Sequence, residues 1–214
     1  MTFRHIAFVT LALSSASLHA TTYTLEPNYT QVTVHWDHLG FSSPSAQFGQ
    51  GAGTLDFDPA APTKASVKVT LPLASLNTSV PDLDEHLRSV DFFETAKFPQ
   101  ASFSSTKVEQ GASTNQLKVS GELTLHGVTR PVTLAVTVVK IGVNPRSSLP
   151  TIGFDATTTL KRSEFGLGKF VPQVSDEIPV HIISQAVDAK AYAEYLKVQE
   201  AAEKAEAAKG ASKQ

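Results

Sequence analysis

The chain has 214 residues, with 18 Lys and Arg against 20 Asp and Glu, a formal net charge of −2 and no cysteine. Its length fits one domain, and a mildly acidic chain without a basic run is not typical of a nucleic-acid-binding protein. The lack of cysteine excludes thiol catalysis, cysteine-ligated metals and disulfides, so stability must come from a hydrophobic core.

The first 20 residues have the composition of a secretory signal peptide. Arg4 and His5 precede an apolar run over residues 6–13, and small residues lead up to Ala20. A retained membrane anchor is disfavoured because the apolar run is too short to span a bilayer. We therefore expect residues 1–20 to be removed and the mature chain to have no integral membrane span.

Alternating apolar and polar residues predict strands along most of the remaining chain. A short first strand begins at Tyr23, and residues 31–36 alternate with Trp36 on the apolar face. Residues 48–57 are interpreted as one strand loosened by three glycines, and residues 65–71 alternate again.

The hydrophobic period then changes to that of a helix, predicted over residues 83–90. Ser79 could cap its start, and Pro81 lies near the first helical position. Apolar side chains recur on one helical face: Leu83, Leu87 and Val90. Aromatic residues follow directly: Phe92, Phe93, Phe98 and Phe103.

A long antiparallel hairpin is predicted over residues 121–141, with its turn in residues 126–131. Residues 151–160 alternate with Phe154 on the apolar face, and residues 178–183 form the last strand. Together these make about eight antiparallel strands, at the spacing of an all-β barrel or sandwich with one short helix.

From residue 188 the composition changes to Ala, Glu and Lys. Tyr192, Tyr195 and Leu196 could dock one or two helical turns, but residues 200–214 carry no apolar stripe. Residues 188–214 are therefore predicted to be a solvated tail, helical or disordered.

The ionisable residues form no recognisable catalytic motif. His35 and Asp37 would share one strand face while His38 points away, so no metal site is expected there. His86, Arg88 and Asp91 surround the helix end, and Arg162 with Glu164 lies in a later loop. They are predicted to pin these loops by charge-assisted hydrogen bonds, with contact to a ligand head group as the alternative.

Several segments carry a family pattern in a fixed order. They include Tyr-Thr-Leu-Glu-Pro at residues 23–27, the segments 34–40 and 51–58, Asp-Glu-His-Leu-Arg-Ser-Val-Asp-Phe-Phe at 84–93, and the segments 98–105, 121–132 and 162–166. On these residues the chain resembles the YceI family of secreted bacterial lipocalin-like proteins. Glu26 stands where the family usually has Asp, and the tail after Asp188 lies outside the pattern.

The resemblance implies a lipocalin-like antiparallel barrel over residues 21–187 that binds a long apolar lipid, such as a polyprenyl chain or an isoprenoid quinone, in the periplasm. From the residues alone, an ordinary packed core stays open beside a ligand cavity. The candidate ligand-binding residues combine apolar positions with three polar ones: Trp36, Phe48, Leu83, Leu87, Phe92, Phe93, Phe103, Phe154, Phe165, His86, Arg88 and Arg162.

We expect no catalytic residue, no metal, no nucleic-acid partner and no cofactor beyond a bound isoprenoid lipid. Two other classes of function stay open at this point. One is a periplasmic hydrolase using His86 or His126, which would show a polar cluster of perturbed pKa in a cleft. The other is a structural module that binds a partner through the tail. The sequence does not indicate an oligomeric state.

Overall fold

The computed structural model describes residues 20–211, with side chains described up to residue 207. Residues 1–19 of the expected signal peptide lie outside the described residues. The strands are β1 (Thr21–Leu25), β2 (Gln31–His35), β3 (Ser45–Phe48), β4 (Ala52–Phe57), β5 (Ser66–Pro72), β6 (Gln100–Gln110), β7 (Gln116–Leu125), β8 (Val128–Val143), β9 (Pro150–Lys161) and β10 (Glu177–Asp188). The helices are α1 (Pro81–Arg88) and α2 (Ala189–Ala211), with 3₁₀ turns at Pro27–Tyr29, Pro62–Lys64, Leu73–Ser75 and Arg162–Phe165.

The sheet closes into an eight-stranded antiparallel barrel. The ring runs β1-β4-β5-β6-β7-β8-β9-β10 and closes because β1 also pairs with β10. β2 pairs with the first part of β10 and β1 with its last residues, so these two short strands share one position in the ring. β4 pairs with β1 and β3 pairs with β2, so β3 and β4 share the next position in the ring. The predicted fold class is confirmed.

The interpretation of residues 48–57 as one strand was wrong. β3 ends at Phe48 and β4 begins at Ala52, because Gln50 adopts a φ of 60° and turns the chain between them. Gly51 fits there because a Cβ on it would lie 2.6 Å from Cγ2 of the buried Thr30. Gly49 and Gly51 thus mark a break between two strands, and Gly53 lies within β4.

The central hairpin is confirmed, with a tighter turn than predicted. β7 and β8 pair from Leu125↔Val128 to Gln116↔Thr137. His126 and Gly127 form the whole connection, with φ angles of 50° and 74°, as a two-residue hairpin turn requires.

The start and the end of α1 differ from the prediction. Ser79 does not cap the helix: its N-cap residue is Val80, and no side chain caps it. Asp84 Oδ1 accepts hydrogen bonds from the backbone nitrogen of Thr78 at 2.6 Å and from its hydroxyl at 2.7 Å, which ties the preceding turn to the helix. Pro81 is the first helical residue, as predicted. The helix ends at Arg88, so Val90 leaves the apolar face and is 75% exposed.

Residues 189–211 form one helix, the helical form of the predicted tail. Asp188 Oδ1 accepts a hydrogen bond from the Ala191 nitrogen at 2.8 Å and satisfies a free donor at the helix start. Tyr192 and Tyr195 are half-buried, with stacked rings 6.5 Å apart, whereas residues 196–207 are exposed. Within residues 20–211, neither helix is long and apolar enough to cross a membrane.

We expect that truncation after Glu200 leaves the melting temperature unchanged within about 2 °C, because the described side chains beyond it are all exposed and the Lys204 ion pair is to Glu200 of the same helix. Thermal unfolding followed by circular dichroism tests this. A further truncation after Asp188 is the comparison, and it should lower the melting temperature because it removes the half-buried tyrosines. A fall of many degrees from the shorter truncation would show that the distal helix docks on the barrel.

Candidate functional site

The inward faces of the strands enclose an apolar cavity of about 450 Å³. Its wall is built by the alternation of the strands, since every second side chain points inward. The aliphatic wall residues include Leu25, Val32, Val34, Leu55, Val67, Val69, Leu71, Leu117, Val119, Leu123, Val132, Leu134, Val136, Ile178 and Ile182. An interior of this size and composition is suited to an apolar ligand.

The most buried polar side chains of the wall bond to one another. Thr30 and Ser184, 2% and 8% exposed, have their hydroxyl oxygens 2.9 Å apart. The Thr158 hydroxyl donates to the Thr133 carbonyl at 3.0 Å. Because these groups are already paired, they offer a ligand little polarity.

The cavity reaches the surface beside α1, and we call this opening the mouth. Four lining side chains are exposed there: His38, His86, Lys169 and Phe170. The mouth is surrounded by α1 and by three loops, at residues 36–44, 89–98 and 166–176.

Helix α1 and the residues after it cover part of the cavity. Leu83 and Leu87 line it from the helix. The Phe93 ring packs edge-to-face on Phe48 with centroids 5.6 Å apart, while Phe92 contacts His86 at 5.0 Å. Because they follow an amphipathic helix, we expected at least one of Phe92 and Phe93 to be buried, but both are half-buried, since each borders the cavity.

Two contacts join the segment after α1 to the loop at residues 166–176. Lys169 Nζ lies 2.7 Å from Asp91 Oδ2, and this hydrogen bond and the lysine's charge lower the pKa of Asp91. The rings of Phe92 and Phe170 lie 6.3 Å apart. The segment that follows α1 and covers the cavity is thus bonded to the loop at residues 166–176.

Arg162 organises the same loop from inside. Its Nε donates to the Ser175 carbonyl at 2.8 Å, Nη1 to Lys169 at 2.8 Å and to Leu167, and Nη2 to Val174 at 3.0 Å. Burial lowers the pKa of this guanidinium. Its donors are committed to the backbone, so Arg162 holds the loop in place although it borders the cavity.

Arg88 is the one candidate residue that does not line the cavity. Its Nη2 donates to the Leu76 carbonyl and lies 3.9 Å from Asp84 Oδ2. The eleven others line the cavity together: Trp36, Phe48, Leu83, His86, Leu87, Phe92, Phe93, Phe103, Phe154, Arg162 and Phe165.

Four residues of the loop at 166–176 line the cavity but were not among the predicted ligand-binding residues: Leu167, Lys169, Phe170 and Val174. No periodicity marks them, because a loop has no repeating face. The aliphatic strand residues of the wall, by contrast, could have been included from their alternation.

The two histidines considered for a hydrolase have different neighbours. His126 Nδ1 lies 3.1 Å from the Phe165 carbonyl, and its Nε2 lies 3.9 Å from Glu94 Oε2. Because a carbonyl only accepts, Nδ1 carries a proton, and the ring packs on Phe98 at 4.7 Å. His86 lies at the mouth against Phe92. Among residues 20–207, no cluster of three His, Asp or Glu could hold a metal ion.

Comparison with known proteins identifies the family. The model of the YceI-like domain matches residues 23–186. The YceI protein of Escherichia coli O157:H7 is 34% identical over 187 residues, covering 86% of this chain and 96% of its own.

The chain belongs to the YceI family.

Solved structures agree with this assignment. BcnA of Burkholderia cenocepacia superposes with a TM-score of 0.65 at 26% identity, covering 73% of this chain and 95% of its own. A polyisoprenoid-binding domain from Saccharophagus degradans has the same fold, with a TM-score of 0.58 at 16% identity, over 78% of this chain and 99% of that domain. The predicted family resemblance is confirmed.

Within this YceI fold, Phe93→Ala is expected to lower the free energy of unfolding by about 3 kcal/mol. This is near the lower end of the cost of truncating a buried phenylalanine, because the ring borders a cavity. Phe92→Ala, the matched control at the mouth, should cost less. Urea unfolding measures both. Equal and negligible costs would contradict a structural role for the segment that covers the cavity.

Proposed function

We propose that this protein binds a long apolar lipid, of the polyprenyl or isoprenoid quinone type, inside its barrel and carries it in the periplasm. The observation that supports this is the cavity of about 450 Å³, whose wall is almost wholly aliphatic and aromatic. Burial of each methylene group in such a wall contributes about 0.8 kcal/mol.

The polar groups near the cavity favour recognition of the apolar chain over the head group. Arg162 donates to backbone carbonyls, Lys169 pairs with Asp91, and Thr30 bonds to Ser184. An arrangement of this kind discriminates by length and bulk, because a pocket binds polar ligands through unpaired groups.

The ligand class and the location have separate support. The barrel shares its fold with the polyisoprenoid-binding domain from Saccharophagus degradans, which makes isoprenoid lipids the first class to test. The periplasmic location rests on the basic, apolar and small-residue regions of residues 1–20.

The test is native mass spectrometry of the protein purified after secretion, followed by organic extraction of what it carries. We expect an added mass that is released as an apolar isoprenoid. Ala156→Phe supplies a cavity-filling variant, since Ala156 is buried and lines the cavity. Thr157→Phe places the same ring on the outer face of β9 as its control.

The outcomes separate clearly. The lipid should be lost from Ala156→Phe and kept by Thr157→Phe. A polar ligand, or an isoprenoid kept equally by both variants, would contradict binding in the barrel.

A further inference from the structure

Four exposed apolar side chains lie on the three loops of the mouth. They are Leu39, Phe41, Val90 and Phe170, with exposed fractions of 50%, 90%, 75% and 53%, and we call them the rim. Folded proteins leave single apolar side chains exposed, but a group of large ones around an opening indicates an interaction surface.

The loops that carry the rim contact one another. The Leu39 nitrogen donates to the Gln173 carbonyl at 3.1 Å, and His38 pairs with Val174 in a short bridge. Lys169 joins the third loop through Asp91 at 2.7 Å. The rim therefore belongs to one assembled surface.

A hydrogen bond fixes the loop that presents Phe41. Asp37 Oδ1 accepts from the Gly40 nitrogen at 2.9 Å, and the Phe41 nitrogen donates to the His38 carbonyl at 3.1 Å. The turn has defined contacts, yet the Phe41 ring packs on almost nothing. Its exposure is a feature of the folded loop.

The rim is continuous with the apolar cavity. His38, Phe92, Phe170 and Val174 line the cavity and lie in the same three loops. Leu39, Phe41 and Val90 do not line it, but they are exposed on the loops whose other residues do.

We propose that the rim docks the mouth of the barrel on the surface of a lipid bilayer. The inference rests on the proposed function, because a carrier must exchange its apolar ligand with a reservoir. Passage through water would expose the whole apolar chain, whereas a mouth in contact with the bilayer keeps it covered. A bilayer is also the partner whose apolar interior matches both rim and cavity.

The charges at the mouth indicate the kind of bilayer contact. Lys169 is paired with Asp91, and Asp37 accepts from the backbone. Among residues 20–207, no cluster of basic side chains lies between the rim residues. Insertion of apolar side chains, with little dependence on anionic lipid, is therefore the expected mode.

The test is flotation of the purified full-length mature protein with phosphatidylcholine vesicles, with and without phosphatidylglycerol. The variant is Phe41→Ser with Val90→Ser, which leaves the cavity lining intact. Its matched control is Val139→Ser with Val143→Ser, two valines on β8 that are 64% and 63% exposed and lie outside the three loops.

We expect the rim variant to lose at least about tenfold in vesicle partitioning, since burial of one large apolar side chain corresponds to that factor or more. The β8 control should partition like the unsubstituted protein. Equal loss in both variants, no vesicle binding by the unsubstituted protein, or binding that requires phosphatidylglycerol would overturn the proposal. So would a concentration-dependent dimer in sedimentation that the rim variant abolishes, because the rim would then cover a second copy.

Organic extraction of the same samples separates this inference from the proposed function. The rim variant should still carry lipid. An empty cavity in every sample, with rim-dependent vesicle binding intact, would contradict the carrier function and leave the docking surface standing.

Discussion

Substitution of Arg162 by alanine is expected to lower the free energy of unfolding by about 3–5 kcal/mol, because its guanidinium satisfies four backbone carbonyls of one loop. Loss of the side chain leaves these acceptors without their donors and frees the loop that carries Lys169 and Phe170. Urea unfolding monitored by circular dichroism measures the change. Retention of bound lipid should fall in parallel, since that loop forms one side of the mouth.

Two control substitutions isolate the contribution of the Arg162 hydrogen bonds to stability. Arg162→Lys keeps the charge but cannot direct donors to four acceptors, so most of the loss should remain. Arg130→Ala removes an exposed arginine with a single 3.3 Å contact to the Glu164 carbonyl and should cost less than about 0.5 kcal/mol. A cost for Arg162→Ala as small as that for Arg130→Ala would show that the loop is held by other contacts.

The strands and the wall of the cavity could be predicted from the sequence because both depend on a local pattern. Alternation predicted both strands of the central hairpin and placed Trp36 and Phe154 on the inward face. Alternation could not distinguish a cavity from a packed core, since inward apolar residues look the same in both. Only the closure of the sheet around a space leaves about 450 Å³ unfilled.

The errors fall where tertiary contacts decide the local structure. Residues 48–57 read as one strand because glycine is ambiguous between a bulge and a turn, and Gln50 resolves it by adopting a positive φ. Ser79 was a plausible cap, but it adopts a φ of 65° and the N-cap position falls on Val80.

The two arginines show the same limit for function. Both Arg88 and Arg162 were candidate ligand contacts in the sequence, yet Arg88 bonds to the Leu76 carbonyl and does not line the cavity. Arg162 borders the cavity and bonds to a loop that carries no periodic pattern. Neither outcome follows from residue type, because both depend on which loops the barrel brings together.

Affinity for isoprenoid ligands should rise steeply with chain length until the cavity is full. Two or three isoprene units could contribute roughly 8–12 kcal/mol gross at about 0.8 kcal/mol per buried methylene group, of which ordering the ligand removes a large share. One charged contact to a head group adds about 1.5–3 kcal/mol. Lys169→Ala should therefore change affinity modestly, and Arg88→Ala should not change it through direct contact.

Trp36 provides the measurement, since it is the single tryptophan and it lines the cavity. Delipidated protein is titrated with isoprenoids of one head group and increasing length while the fluorescence of Trp36 is followed. Trp36→Phe controls for signals that arise outside the cavity. We expect at least about tenfold tighter binding for each added unit until a length at which the gain stops. Affinity that is flat with length and abolished by Lys169→Ala would contradict recognition of the apolar chain and indicate a site for a polar ligand.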